Sequence, residues 1–417
     1  MNVILLLIFA FLVYILWKNN TIFPFSFIFS LFWFLNIFSS EIFFSDLQFS
    51  TEIYLFFMTA SFSVFLGEFL FAFKNSKNKI DIVINENISK LLFYIFLSFA
   101  FVFPIESLLV NGISLSTLLN FETLLEVNNS IAVSRYEEEV KTSIISQFTL
   151  IFVYLTPLWA GFLSNLNLAK SNKFLYLSLL PSIFVLVTQN TKLVFIASLF
   201  LFLVGRLTYF IIFKDRLILV KPKFILNFIV GFFVFYFLVV LSFIMRVGEY
   251  NETSFESVNA KVASYIAHVP AFDIWLNETY DPEINALEGG TKTFYGIANF
   301  LGIKKRIAGI FSDDINIVSN KNEILTNVYT VFRYHLEDFG YSGTFVFLFF
   351  IGLIFSFSRF IKRVSPHASL AIIACLLFYV FDSFVSSIWA YISFILVFVV
   401  FYFALKISCK KVSNDQF

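Results

Sequence analysis

Apolar runs rich in Phe, Leu and Ile recur along almost the whole chain, and they constrain the fold more than any other feature. Each run is roughly 15 to 23 residues long, near the ~20 a helix needs to cross the hydrocarbon of a bilayer. Lipid offers the backbone no hydrogen-bond partners, so only helices or a closed barrel can span it. A barrel would read as short segments of alternating polarity, and these runs are continuous. The expected fold class is therefore all-α, a polytopic membrane helix bundle. Only 14% of the residues are charged, against about 25% in soluble domains. The deficit is too large for a bigger soluble core to absorb.

The sequence predicts about eleven spans, at 2–17, 22–39, 53–73, 91–110, 144–166, 174–188, 193–213, 224–245, 343–358, 368–384 and 388–405. The first run has no basic leader and no small-residue cleavage site, so it reads as a retained span. Every second connection is basic: Lys18; Lys74, Lys77, Lys79 and Lys90; Lys170 and Lys173; Lys214, Arg216, Lys221 and Lys223; Arg359, Lys362 and Arg363; Lys406, Lys410 and Lys411. These connections carry more than half of the 29 basic residues but only the acids Asp81, Glu86, Asp215 and Asp415. Basic loops stay in the cytoplasm, which predicts an outer N-terminus and a cytoplasmic C-terminus. A formal net charge of +1 leaves no footprint for nucleic acid. Cys375, inside a span, and Cys409, in the tail, suggest no disulfide framework.

The expected organisation is spans one to eight over 1–245, a large outer loop over 246–342, and the last three spans with a cytoplasmic tail over 343–417. From Val247 to Ser342 the loop carries Lys261, Lys292, Lys304, Lys305, Arg306, Lys321 and Arg333 against nearly twice as many acids. A structureless connection that long is uncommon without a function. Within it, FESVNAKVASYIAH has helical spacing. TKTFYGIANFLGI sets Phe294, Ile297 and Leu301 on one face, just after the turn signal Gly289-Gly290. The end of the loop, NVYTVFRYHLEDFGYSG, places Arg333, His335, Glu337 and Asp338 within six positions, directly before an apolar run. A helix over 326–339 would make Arg333 and Glu337 an i, i+4 pair in the weaker order, good for a few tenths of a kcal/mol. That is too little to explain the cluster. Gly340 and Gly343 would end this helix.

The residues Thr326, Asn327, Tyr329, Thr330, Arg333, Asp338, Gly340 and Gly343, after an outer "GG…TFYGI", resemble the bacterial oligosaccharide repeat-unit polymerases, the Wzy-type group of O-antigen and capsule synthesis. Many spans, low charge and one dominant late outer loop resemble that group too. The likeness covers roughly 288–346, and the rest is similar only in pattern. It implies a glycosyltransferase on the outer face of the bacterial inner membrane. Donor and acceptor would be polyprenyl-pyrophosphate-linked oligosaccharides, and the working partners a flippase and a chain-length regulator. No cofactor and no metal are implied. Where relatives carry an arginine on an earlier outer turn, this chain has Lys192.

That chemistry asks for a cation at the departing pyrophosphate, and guanidinium suits it through its planar fork. The outer arginines away from the Lys304–Arg306 cluster are Arg135, Arg246 and Arg333. Arg246 stands where the eighth span exits, a place where an arginine can also snorkel to the headgroups. Arg135 precedes three glutamates that could pair with it. Asn327, Tyr329 and Lys192 complete the candidate substrate-binding set. The chemistry also asks for a base. His335, Glu337 and Asp338 are candidates, Asp338 by resemblance and His335 by its ordinary titration range. A structural hydrogen bond explains each of them equally well.

Other classes make different demands. A ligase or a polyprenyl-phosphate sugar transferase would share the large outer loop. A flippase needs ionisable residues near mid-membrane and interrupted spans, whereas the predicted spans are nearly charge-free at their centres. Glu68 and Arg206 lie near predicted inner boundaries and read as structural. Asp313-Asp314 is not in the first outer loop, where metal-binding acidic pairs of related transferases stand.

Overall fold

The computed structural model describes residues 2–73, 82–114, 120, 123, 126–127, 143–166, 172–189, 191–214, 240, 266–281, 286–305, 311, 313–318, 323–327 and 329–411. In chain order the helices and strands are α1 (Asn2–Lys18), α2 (Pro24–Phe43), α3 (Thr51–Ala72), β1 (Ile82–Ile84), α4 (Glu86–Val110), α5 (Ile144–Leu163), α6 (Leu180–Gln189), α7 (Lys192–Tyr209), α8 (His268–Glu278), α9 (Tyr295–Phe300), β2 (Ile315–Val318), β3 (Glu323–Thr326), α10 (Val331–Phe360), α11 (Pro366–Asp382), α12 (Ile392–Ser408) and β4 (Cys409–Lys411). A 3₁₀ turn, Asn172–Leu179, leads into α6. The protein is a helical membrane protein with little sheet. Among the described residues, six helices are long and apolar enough to cross a membrane: Pro24–Phe43, Thr51–Ala72, Glu86–Val110, Ile144–Leu163, Lys192–Lys214 and Val331–Arg363. Four shorter apolar helices accompany them. Every predicted span except 224–245, of which only residue 240 is described, falls largely on helical backbone.

The chain divides into two compact units. The first draws on 1–80 and 260–392, and its centre is the pairing of α3 with α10. Glycine permits that pairing. A Cβ on Gly67 would meet the carbonyl oxygen of Phe349 at 1.9 Å, and one on Gly352 would meet that of Val64 at 2.1 Å. Small residues let backbones approach where lipid gives helices no hydrophobic reason to associate. Above this seam lies an aromatic core. Trp33 stacks on Phe57 at 4.6 Å and tilts against Phe332 at 4.9 Å, and Phe56 meets both Phe272 and Phe332 edge-on.

Several polar groups in this unit are tied down. Glu68 is fully buried and accepts the backbone N–H groups of Phe25 and Ser26, at 3.2 and 2.7 Å, so it caps the first turn of α2. Arg359 donates to the carbonyls of Thr21 and Ile22 at 3.0 and 2.8 Å. Ser50 caps α3 through Ile53 N–H and is itself held by Asp273 of α8, which takes the Ser50 backbone N–H at 2.9 Å and its hydroxyl as well. Burial raises the Asp273 carboxyl above its ordinary value, against the pull of these hydrogen bonds.

The second unit draws on 81–214 and 393–417, with α5 packed between α4 and α7. Gly161 and Gly205 bring α5 and α7 to backbone contact. Trp159 of α5 donates to the Ser89 carbonyl at 3.0 Å. Glu106 accepts the hydroxyls of Ser143 and Ser146 where α5 begins. Strand β1 pairs antiparallel with β4, Ile82 opposite Lys411.

One local expectation is corrected. The helix predicted over 326–339 begins only at Val331. Glu323–Thr326 is a strand paired antiparallel with Ile315–Val318, Ile317 opposite Ile324. In Glu-Ile-Leu-Thr the buried positions alternate, Ile324 and Thr326 inward, and a period of two suits a strand. The predicted helix in 255–268 lies outside the described residues up to its last three; the described helix there, α8, starts at His268. Gly340 does interrupt α10: its φ of 66° and ψ of −174° divide the segment carrying Arg333 to Asp338 from the long apolar run.

Candidate functional site

The site is built in the first unit, on the opening turns of α10. Thr330, extended, precedes the helix, and Val331 N–H is taken by the Ser383 carbonyl at 2.7 Å. One helical turn separates Arg333 from Glu337, and Arg333 Nε donates to Glu337 Oε1 at 2.9 Å. The other oxygen of Glu337 accepts Lys292 Nζ. Arg333 Nη2 donates to Asp313 at 2.9 Å. Nη1 has no hydrogen-bond partner among the described residues.

Three rings surround this guanidinium. Its carbon lies 3.9 Å from the centroid of Phe311, 4.1 Å from Tyr329 and 5.0 Å from Trp275. Such contacts are stronger when desolvated, and the Arg333 side chain is 7% exposed. Tyr329 donates its hydroxyl to the Asp313 carbonyl at 3.0 Å. Burial pushes the Tyr329 phenol up to about 12, although Arg333 pulls the other way, so it stays a donor.

The segment Gly289–Thr293 wraps the end of this short helix. Gly289 and Gly290, with φ of 61° and 94°, make the turn that side chains would resist. Glu288 and Gly289 N–H groups bind the carbonyls of Glu337 and Asp338 at 3.0 and 3.2 Å, satisfying the helix end. Asp338 returns the contact. Its carboxylate accepts Lys292 N–H at 3.1 Å and Thr293 N–H at 2.5 Å. Gly296 fits because a Cβ there would stand 2.8 Å from the Ala390 carbonyl oxygen. Glu288 and Lys304 pair at 2.7 Å, which holds the carboxyl of Glu288 below and the ammonium of Lys304 above their ordinary values.

His335 points inward. It is fully buried, with Nδ1 3.1 Å from Thr293 Oγ1 and Nε2 2.9 Å from Tyr379 Oη. Thr293 is held in turn by Ser387, which donates to its carbonyl at 2.7 Å. Trp389 stacks on Tyr379 and lies against Phe294 and Phe347.

The structure thus brings Arg333, Glu337, Asp338, His335 and Tyr329 together in one small volume. Asn327 is exposed at the end of β3. Lys192 belongs to the second unit, buried at the first position of α7. Arg246 and Arg135 lie outside the described residues. Trp275, Phe311, Lys292, Thr293, Tyr379 and Asp313 complete the site, although sequence reasoning did not single them out for it. They lie on other segments, and no periodicity announces which ring will face an arginine. Among the described residues no three His, Cys, Asp or Glu side chains converge as metal ligands. Chemically the cluster offers one forked cation with an enclosed nitrogen that has no partner among the described residues, a second cation on the same carboxylate, and carboxylates that differ sharply in exposure. Comparison of the chain with known families, characterised proteins and solved structures gave no match.

Proposed function

We propose that the protein is a glycosyltransferase of the bacterial inner membrane that joins polyprenyl-pyrophosphate-linked oligosaccharide repeats into a surface polysaccharide, O-antigen or capsule, on the outer face. The reading takes eleven spans, an outer N-terminus, a cytoplasmic C-terminus, and 246–342 as the outer loop that carries the chemistry. The observation that supports it most is the Asp338 carboxylate seated on the backbone of Lys292 and Thr293. It joins the two separate stretches of sequence that carry the resemblance, with Arg333 one turn away.

In this reading a hydroxyl of the lipid-linked acceptor attacks the anomeric carbon of the growing chain. The bond from that carbon to the diphosphate breaks, and the diphosphate keeps the electron pair. Arg333, with Arg246 as its partner in the reading, meets the growing charge; fixed donors at such a point supply several kcal/mol in a dry site. The hydroxyl proton goes to Glu337. All three side chains are engaged, His335 and Asp338 in the interior, whereas Glu337, paired with Arg333 and Lys292, is 11% exposed. Among the described residues the centres of the apolar helices carry no charge cluster, which favours an enzyme over a carrier.

Deletion of the gene, followed by gel analysis of surface polysaccharide, tests the reading. The expected result is loss of long chains with single repeats still attached to the lipid anchor. Loss of all outer sugar points instead to a ligase or a flippase. With expression verified, Arg333→Ala and Arg246→Ala should each abolish chain lengthening, and full activity in both would remove the proposed site.

A further inference from the structure

Arg333 has two counter-ions of different character. Glu337 is on the same helix, 11% exposed, and held on its other oxygen by Lys292. Asp313 is on a separate segment ahead of the β2–β3 hairpin, and its side chain is 47% exposed. Glu337 takes Nε, on one side of the fork. Asp313 takes Nη2, and Nη1, buried in a side chain 93% enclosed, has no partner among the described residues. The Nη1–Nη2 edge of the guanidinium is therefore half satisfied, by a carboxylate that solvent can reach.

A part-exposed ion pair contributes little, because water and salt compete for both charges. An anion with two oxygens on one phosphorus, spaced for the fork, makes two charge-assisted hydrogen bonds where Asp313 makes its contact at Nη2 alone. The rings of Phe311, Tyr329 and Trp275 lie against the guanidinium, and with Nη1 enclosed an anion comes to the fork from the side that Asp313 occupies. Lys292 Nζ, 5.7 Å from the Phe311 centroid, adds a second cation near the same ring.

We propose that Asp313 is a displaceable counter-ion of Arg333, which an incoming polyprenyl diphosphate must evict from Nη2 before it can engage the fork. This rests on the proposed function for the nature of the lipid. Asp313 then sets affinity: it holds the arginine oriented, and it raises the threshold against weaker anions such as monophosphates and carboxylates.

The test uses the full chain in detergent, titrated calorimetrically with inorganic pyrophosphate and, separately, with geranylgeranyl diphosphate. Asp313→Asn removes the competing charge with little change of shape, and should tighten binding of the lipid probe roughly 5-fold. Asp314→Asn makes the same change in net charge at the exposed neighbouring position, and should leave affinity within about 2-fold of the parent. Arg333→Lys keeps the charge and loses the fork, and should weaken binding at least about 10-fold. The inference is overturned if Asp313→Asn binds no tighter than the parent, if Asp314→Asn tightens binding equally, or if the parent binds neither probe. Equal affinity for the two probes marks a site for free diphosphate and overturns the lipid assignment. The proposed function fails by a different observation, unchanged long chains after gene deletion, whatever the titrations show.

Discussion

The carboxylate of Asp338 takes the backbone N–H of Thr293 at 2.5 Å, across 45 residues of sequence. With the Lys292 N–H on its other oxygen, it makes the glycine turn and the charged helix a single rigid piece. The side chains that face Arg333 are presented from that piece and from the segments around it.

Asp338→Ala leaves two N–H groups, one buried and one half-buried, without partners. At about 1–3 kcal/mol for each such group, the loss should be roughly 2–6 kcal/mol. Asp338→Asn, which can still accept one N–H, should lose about half as much. Thermal unfolding of the detergent-purified protein reads both. A melting temperature unchanged in Asp338→Ala would mean that the turn is held by something else.

His335 and Glu337 are separated by a pair of variants. Tyr379→Phe leaves Nε2 of His335 unpartnered and should lower stability by about 1–2 kcal/mol while chain lengthening continues. Glu337→Gln should stop chain lengthening in a protein that still folds. Gel analysis of the polysaccharide beside a melting curve decides. Loss of long chains in well-folded Tyr379→Phe would move the base to His335.

The glycine seam between α3 and α10 predicts a steep penalty for small changes. Gly352→Ala sets a methyl against the Val64 carbonyl, where the gap is 2.1 Å. The helices must separate, and overpacking of this kind is destabilising by about 1–3 kcal/mol or more. Expression in membranes and the melting temperature should both fall. Gly112→Ala, at a position with nothing within 4 Å, controls for loss of glycine at a turn.

Asp273 predicts a dependence on pH with a definite sign. Burial raises its folded value above the ordinary 3.8, so between those two values the folded state binds more protons than the unfolded. Stability from this group therefore increases as pH falls through the raised value and declines as pH rises through it. The melting temperature of Asp273→Asn should depend less on pH than that of the parent between pH 7 and pH 4. Parallel curves would show that the carboxyl does not titrate in that window.

The apolar runs determined by themselves where the helices lie, because burying backbone polar groups in lipid leaves a local solution for each run, written in consecutive residues. The Arg333–Glu337 contact was legible for the same reason: four residues on a helix are neighbours wherever the helix goes. The break at Gly340 was legible as well, since only glycine enters that backbone region cheaply. The start of α10 was misplaced because Glu323–Thr326 is short, and its alternation becomes a strand only through its pairing with Ile315–Val318. What tertiary structure alone decided is the company that Arg333 keeps. Asp313, Phe311, Tyr329, Trp275 and, through Glu337, Lys292 arrive from separate segments. Their meeting depends on loop closure and ring packing, which act between distant residues and leave no period in the chain.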